Sequence, residues 1–210
     1  FYHQFLQLVT TEGFSGGDFW VPLDETVSSA ESWQGALGLE WRPSKRYELS
    51  VEGYYRWPND LVVLDTKVSA DSEDTQSEDV FLTGGSGFAT GVEVFLQRRT
   101  GALTGWLGYT LAWTRREFPE LNQGREFPPK FDRRNDLSFV MEYRMGKWSV
   151  GSSLVYGAGQ AFTPAAGRYT MRSPATGVFE DRALPADRNS ARLLPYHRLD
   201  LSLKRRLGLF

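Results

Sequence analysis

Residues 32–57 read SWQGALGLEWRPSKRYELSVEGYYRW, and their period decides the fold. Trp33, Leu37, Leu39 and Trp41 alternate with Gln34, Ala36, Gly38, Glu40 and Arg42. After the break at Pro43-Ser44-Lys45, Tyr47, Leu49, Val51, Tyr55 and Trp57 alternate with Glu48, Ser50, Glu52 and Arg56. Period two is the mark of a strand with one apolar and one wet face, and two such runs around a tight polar turn make a β-hairpin. Ten residues at a rise of roughly 3.3 Å, tilted by about 45°, cover roughly 23 Å, close to the apolar band of a transmembrane β-barrel. Trp and Tyr gather at the ends of both runs, as an aromatic girdle does.

The composition bounds the rest. A chain of 210 residues suits one domain. It has no Cys and two His, His3 and His197, which excludes thiolate metal sites and disulfides and leaves little for imidazole chemistry. Net charge is −2 with mixed signs, so no basic footprint for nucleic acid exists. Mean hydropathy is −0.41, and no apolar run reaches the roughly 18 residues of a spanning helix. Barrel strands hide their apolar residues in alternation and escape that criterion.

Eight strands are expected, near 1–9, 33–42, 47–57, 88–98, 103–115, 135–145, 148–159 and 196–204. Tight turns fall at 43–46, 99–102 and 146–147, and long loops at 10–31, 58–87, 116–134 and 161–195. Long structureless loops are uncommon in compact soluble domains. Short turns at one end and long loops at the other are the plan of an outer-membrane barrel. The expected fold is therefore all-β: an antiparallel up-and-down transmembrane β-barrel segment of about eight strands, with short periplasmic turns and long extracellular loops. The inward set includes Glu40, Arg42, Glu48, Glu52, Arg56, Glu93, Gln97, Glu142, Arg144, Arg198 and Asp200. A narrow dry barrel would have to pair all of these charges, whereas a wide or plugged lumen solvates them. Phe210 has the wrong parity for a terminal lipid-facing aromatic and follows Arg205-Arg206, so a cut or chain break is expected there.

Four segments carry a family resemblance: LGLEWRPSKRYELSVEGYYRWPNDLV (37–62), GSGFATGVEVFLQRRTGALTGWLGYTLAWTRR (85–116), FPPKFDRRNDLSFVMEYRMGKWSVGSSLVYGAGQAFTP (127–164) and NSARLLPYHRLDLSLKRRLG (189–208). In order and spacing they resemble the C-terminal barrel region of TonB-dependent outer-membrane receptors, over nearly the whole chain. The most specific is the last, with Asn189, Arg192 and the run Pro195 to Asp200 opening a late strand. The resemblance implies a partial barrel over residues 1–210, the plug domain and remaining strands lying elsewhere. It also implies localisation in the bacterial outer membrane. The partners implied are outer-membrane lipid, the TonB complex through that plug, and a small extracellular ligand. The implied function is active uptake of a scarce nutrient such as a ferric siderophore, a cobalamin-like cofactor, a glycan or a peptide.

Each candidate site has two readings. Asp132, Arg133 and Arg134, and in the last loop Arg182, Arg188 and Arg192, suit contacts to an anionic ligand or lipopolysaccharide phosphate; alternatively they are ion pairs pinning loops to the rim. The acidic stretch from Asp65 to Asp79 is a cation site or a solvated loop, without EF-hand spacing. Trp33, Leu37, Leu39, Trp41, Leu49, Tyr55, Trp57, Trp113 and Trp148 are lipid-facing or girdle positions, the alternative for the aromatics being sugar stacking. Gly84-Gly85-Ser86-Gly87 lacks a Walker lysine and a following helix. His197 with Ser202 or Ser138 is the one conceivable catalytic pairing, and nothing in the sequence joins them. No cofactor, metal or enzymatic activity is expected. Two other readings stay open: a self-contained eight-stranded outer-membrane barrel with a structural or adhesive role, closed by pairing 1–9 with 196–204, and a soluble carbohydrate-binding β-sandwich. The sandwich requires Trp33, Leu37, Leu39 and Trp41 to be core.

Overall fold

The computed structural model describes residues 6–9, 19–24, 27–64, 81–173 and 177–207. Its strands are β1 (Leu6–Val9), β2 (Phe19–Pro22), β3 (Glu31–Ser44), β4 (Tyr47–Asn59), β5 (Leu61–Leu64), β6 (Phe81–Arg98) and β7 (Leu103–Glu117). There follow β8 (Asn135–Met145), β9 (Trp148–Gly157), β10 (Ala161–Phe162), β11 (Ala165–Arg172), β12 (Phe179–Pro185), β13 (Ala191–Arg192) and β14 (Tyr196–Arg205). One antiparallel sheet dominates, in the order β14-β9-β8-β7-β6-β4-β3, with β5 added beside β6. Neighbours in the sheet are neighbours along the chain once the short strands are set aside, which is an up-and-down meander.

The register shows why alternation built this sheet. Residues paired across an antiparallel ladder share a face. Trp41 pairs with Leu49, Leu49 with Leu96, Leu96 with Leu107, Leu107 with Phe139, Phe139 with Leu154 and Leu154 with Leu199. One residue on, the row runs Glu40, Ser50, Phe95, Gly108, Ser138, Val155, Arg198. A slip of one residue in any pair would turn an apolar set to the wet side, so every strand votes for the same register. Phe95 and Trp106 stand on the polar face against that rule, with ring centroids 6.1 Å apart. Both rings lie beside Gly108, within van der Waals reach of the space a Cβ would take there.

Among the described residues neither face of the sheet carries a second layer. Every residue of β3 and of β14 is exposed. No hydrophobic side chain of the seven long strands is buried. Trp33, Leu37, Leu39 and Trp41 are 75%, 83%, 69% and 58% exposed, where a sandwich needs them in its core. The sheet is open: among the described residues β3 and β14 each pair on one side only. The expected first wall strand is corrected. Leu6–Val9 pairs with β2 and not with β14, and Phe1 to Phe5 lie outside the described residues. The eighth strand of the sheet is β5.

The core sits at the loop end. β5 is a short strand with both faces covered, so it shows no alternation. Val62 packs with Val9, Val21 and Val27. Val63 packs on the other side with Phe118, Leu121 and Phe127. Phe118 and Phe127 follow the end of β7, where Arg116 and Phe127 exchange backbone hydrogen bonds of 2.9 and 2.8 Å. The long loops are thus corrected as well. Region 58–87 holds the end of β4, β5 and the start of β6; region 116–134 holds the end of β7 and a 3-10 turn at Asn122–Gly124; region 161–195 holds β10 to β13, including the β11–β12 hairpin. Residues 65–80, with the whole acidic stretch from Asp65 to Asp79, lie outside the described residues.

Phe118 shows what this cap is worth. Truncating a fully buried Phe to Ala costs about 3–5 kcal/mol, and Phe118 is such a residue. Phe118→Ala should lower the urea midpoint of the cap accordingly. A Cβ on Gly85 would lie 2.2 Å from the Phe118 ring. Gly85→Ala should therefore be costly in the native chain and nearly neutral in the Phe118→Ala background. Additive losses would contradict this packing.

Candidate functional site

The loop end gathers the chemistry-bearing residues. Asp132 is buried, and its carboxylate is fully used. Its Oδ1 accepts the backbone N–H of Thr114 at 2.9 Å. Its Oδ2 accepts a hydrogen bond from Arg192 Nη2 and lies 3.7 Å from Arg115 Nη1. Arg192 Nη1 donates to the carbonyls of Asp132 and Gly159, each at 3.1 Å. One carboxylate thereby joins the end of β7, the β7–β8 connection and the β9–β14 connection. The planar guanidinium fork of Arg192 makes this joint directional.

Arg134 sits beside this joint with its guanidinium 4.8 Å from the Trp113 ring centroid. Burial pushes its pKa below the ordinary arginine value; Asp132 pulls it back up, and Arg115 and Arg192 push it down. A second clasp lies alongside. Asn122 Nδ2 donates to the Arg188 carbonyl at 3.0 Å, and the Arg188 N–H donates to Asn122 Oδ1 at 2.6 Å. Arg188 Nη1 reaches the Leu64 carbonyl at 3.4 Å. Arg125 pairs with Asp187 at 2.6 Å. The Asn189 N–H donates to Thr163 Oγ1 at 3.0 Å, with Asn189 in the left-handed region at φ 53°.

Of the six residues singled out for anion contact, the structure brings Asp132, Arg134 and Arg192 together. Arg188 is buried in the neighbouring clasp. Arg133 turns outward to Asp136 at 3.5 Å. Arg182 stands apart on β12, paired with Glu180 at 2.9 Å. Sequence reasoning missed Arg115 and Asn122. Their partners, Asp132 and Arg188, are distant along the chain, and the pairing of the strands brings them near. The nine girdle candidates, Trp33, Leu37, Leu39, Trp41, Leu49, Tyr55, Trp57, Trp113 and Trp148, all fall on the apolar face. Tyr55, Trp57, Trp33 and Trp113 crowd its loop end, and Trp41 and Trp148 stand towards the turns.

The polar face carries the inward set. Glu52 stands directly opposite Glu93, and the same row continues through Thr110 to Asp136. Arg56 donates to Gln34 Oε1 through Nε and Nη2 at 2.9 and 2.6 Å. Glu48 takes both Arg42, at 3.5 Å, and Arg99. A shallow concavity lies over Glu52, Glu93, Phe95, Thr110, Asp136 and Ser138. His197 pairs with Tyr156 on the apolar face, whereas Ser202 and Ser138 have the opposite parity, so the register separates them. Among the described residues no group of three or more His, Asp or Glu side chains is placed to hold a metal. No helix among them is long and apolar enough to cross a membrane.

No family model and no curated protein matches the sequence. Among solved structures, a chain of the FpvAI–pyocin S2 complex is similar, with a TM-score of 0.55 at 13% identity over 87% of this chain. The chain spans 22% of that neighbour's length. At such identity the likeness is one of fold alone.

Proposed function

We propose that this chain is part of the barrel wall of a TonB-dependent outer-membrane receptor that takes up a scarce nutrient such as a ferric siderophore. The observation that carries this reading is the apolar face. It runs across seven strands, no second layer covers it among the described residues, and aromatic residues stand at both of its ends. Water does not stabilise such a surface, and contiguous exposed apolar area of this size marks a contact with lipid or protein. Trp33 and Trp41 stand eight residues apart, which at about 3.3 Å per residue and a tilt of about 40° spans roughly 20 Å of bilayer. In a membrane every backbone group must be paired, so the two open edges call for further strands that close the wall.

On this reading the apolar face meets outer-membrane lipid, the polar face lines the lumen, and the turns face the periplasm. The loop end takes the small extracellular ligand. The similar structure is a complex with pyocin S2, which accords with a wall that meets a partner molecule. Coupling to TonB belongs to a plug domain outside this chain, and no catalysis is part of the role. The buried Asp132–Arg192 joint then serves to hold the loops in shape, leaving exposed side chains such as Arg133 and Arg182 for ligand contact. Cells carrying the full-length protein should accumulate one of a panel of ferric siderophores or cobalamin in a TonB-dependent manner, and lose that uptake when the gene is disrupted. Unchanged, TonB-independent uptake of the whole panel would contradict the transport role.

A further inference from the structure

The turn end of the sheet is a continuous basic rim. Its segments read RPSKR (42–46), RRTGA (98–102), RMGK (144–147) and KRR (204–206), which hold ten of the chain's 24 Lys and Arg residues and no carboxylate. Backbone hydrogen bonds tie the turns into one edge. The Arg99 N–H donates to the Arg46 carbonyl at 2.9 Å, Arg144 to Ala102 at 2.8 Å, and Arg206 to Lys147 at 2.7 Å. Lys45, Arg46, Lys147 and Arg206 are exposed, and among the described residues none of the four holds an ion pair. Glu48 takes Arg42 and Arg99, and Glu40 also pairs with Arg42. Like charges at this density repel one another unless an anion is supplied from outside.

Two of these cations show what kind of anion fits. Arg98 and Arg205 stand on the apolar face, with guanidinium groups 5.5 Å from the Tyr47 ring centroid and 5.3 Å from that of Trp148. Arg98 Nε is buried without a hydrogen-bond acceptor. A guanidinium stacked on a belt aromatic presents its N–H edge where acyl chain gives way to headgroup. The group that completes this arrangement has an anionic phosphate and an acyl chain on the same molecule. We propose that the turn-end rim is a binding surface for anionic phospholipid, with Arg98 and Arg205 gripping phosphates at the edge of the apolar face and the exposed turn cations holding the surrounding headgroups. This rests on the membrane reading above and adds lipid selectivity and the leaflet that supplies it.

The test uses the full chain with vesicles of phosphatidylcholine alone and of phosphatidylcholine mixed with phosphatidylglycerol. A cation near an anionic surface contributes about fivefold to partitioning, so association with the mixed vesicles should be stronger by about tenfold or more. That preference should shrink as salt rises. Combined replacement of Lys45→Gln, Arg46→Gln, Lys147→Gln and Arg206→Gln should weaken the preference severalfold and leave association with pure phosphatidylcholine unchanged, and adding Arg98→Gln and Arg205→Gln should abolish the preference. Equal association of the native chain with both vesicles, or a preference undiminished by all six replacements, would overturn the lipid surface while leaving the membrane reading in place. Loss of the preference on adding inorganic phosphate at matched ionic strength would assign the rim to a free anion instead. Failure to associate with either vesicle would remove both the membrane reading and this one.

Discussion

Leu39→Arg loses about 1–4 kcal/mol of stability in a bilayer, since an arginine on the lipid face of a barrel costs about 2–4 kcal/mol at the midplane and about 0–1 kcal/mol at the interface. Leu39 lies on β3 between Trp33 and Trp41, on the bilayer side of the Trp41 belt, and is 69% exposed. An exposed surface residue in water tolerates such a change within about 0.5 kcal/mol. The same substitution therefore reads out which solvent the face meets. Glu40→Arg, one residue on, turns to the polar face and should stay within about 0.5 kcal/mol in either medium. Trp33→Arg, at the loop-end belt, should cost about 0–1 kcal/mol in the bilayer because the penalty falls towards the interface. Urea unfolding from lipid vesicles measures all three. Equal small effects for Leu39→Arg and Glu40→Arg would mean that lipid never touches this face.

Asp132→Ala is expected to release the loop end at a cost of about 3–5 kcal/mol, the range for removing one partner of a buried ion pair. Three losses follow together. The Thr114 N–H loses its acceptor, Arg192 loses its partner, and Arg115, Arg134 and Arg192 are left without the central negative charge. Protease cleavage within 158–195 should rise, and amide exchange at Thr114 should accelerate. Arg192→Ala should reproduce most of the effect. The double variant should then show a coupling of at least about 1 kcal/mol, as contacting residues do. The wall itself should stay intact, because Asp132 contributes nothing to the seven-strand ladder beyond the end of β7. Unaltered cleavage in Asp132→Ala would show that the joint holds nothing.

The wall was readable because its two faces differ. Where one side is apolar and the other wet, as in Leu103 to Arg115 or Asn135 to Met145, the sequence prints the strand, its register and its face. The cap defeats that reading in two ways. In β5, Val62 and Val63 are both buried, on opposite sides, so the short run LVVL (61–64) has no period. In β11 and β12 most side chains on both faces are exposed, so AAGRYTMR and FEDRALP carry no apolar stripe. The early start of β6 at Phe81 is hidden for a related reason. Its added turn is ladder to β5, and that partner was itself invisible.

The candidate residues follow the same division. The apolar positions were legible, because parity assigns them without knowing any partner. Asp132 and Arg192 could be named as candidates from their charge, but not joined, since they stand 60 residues apart and meet only when β9 and β14 pair beside β8. Phe95 and Trp106 break the alternation for a local reason, the space above Gly108, which a period-two rule does not see. Strand Leu6–Val9 was visible as a strand, but its partner was not, since β2 lies within a stretch rich in Gly.

The most direct test of the central claim is paired-site accessibility in lipid vesicles. The chain has no native cysteine, so Leu39→Cys and Glu40→Cys each place a single labelling site on opposite faces of β3. With a spin label, Leu39→Cys should be open to oxygen and closed to a water-soluble nickel complex, and Glu40→Cys should show the reverse. The same accessibility to the nickel complex at both sites would contradict a wall that separates lipid from water.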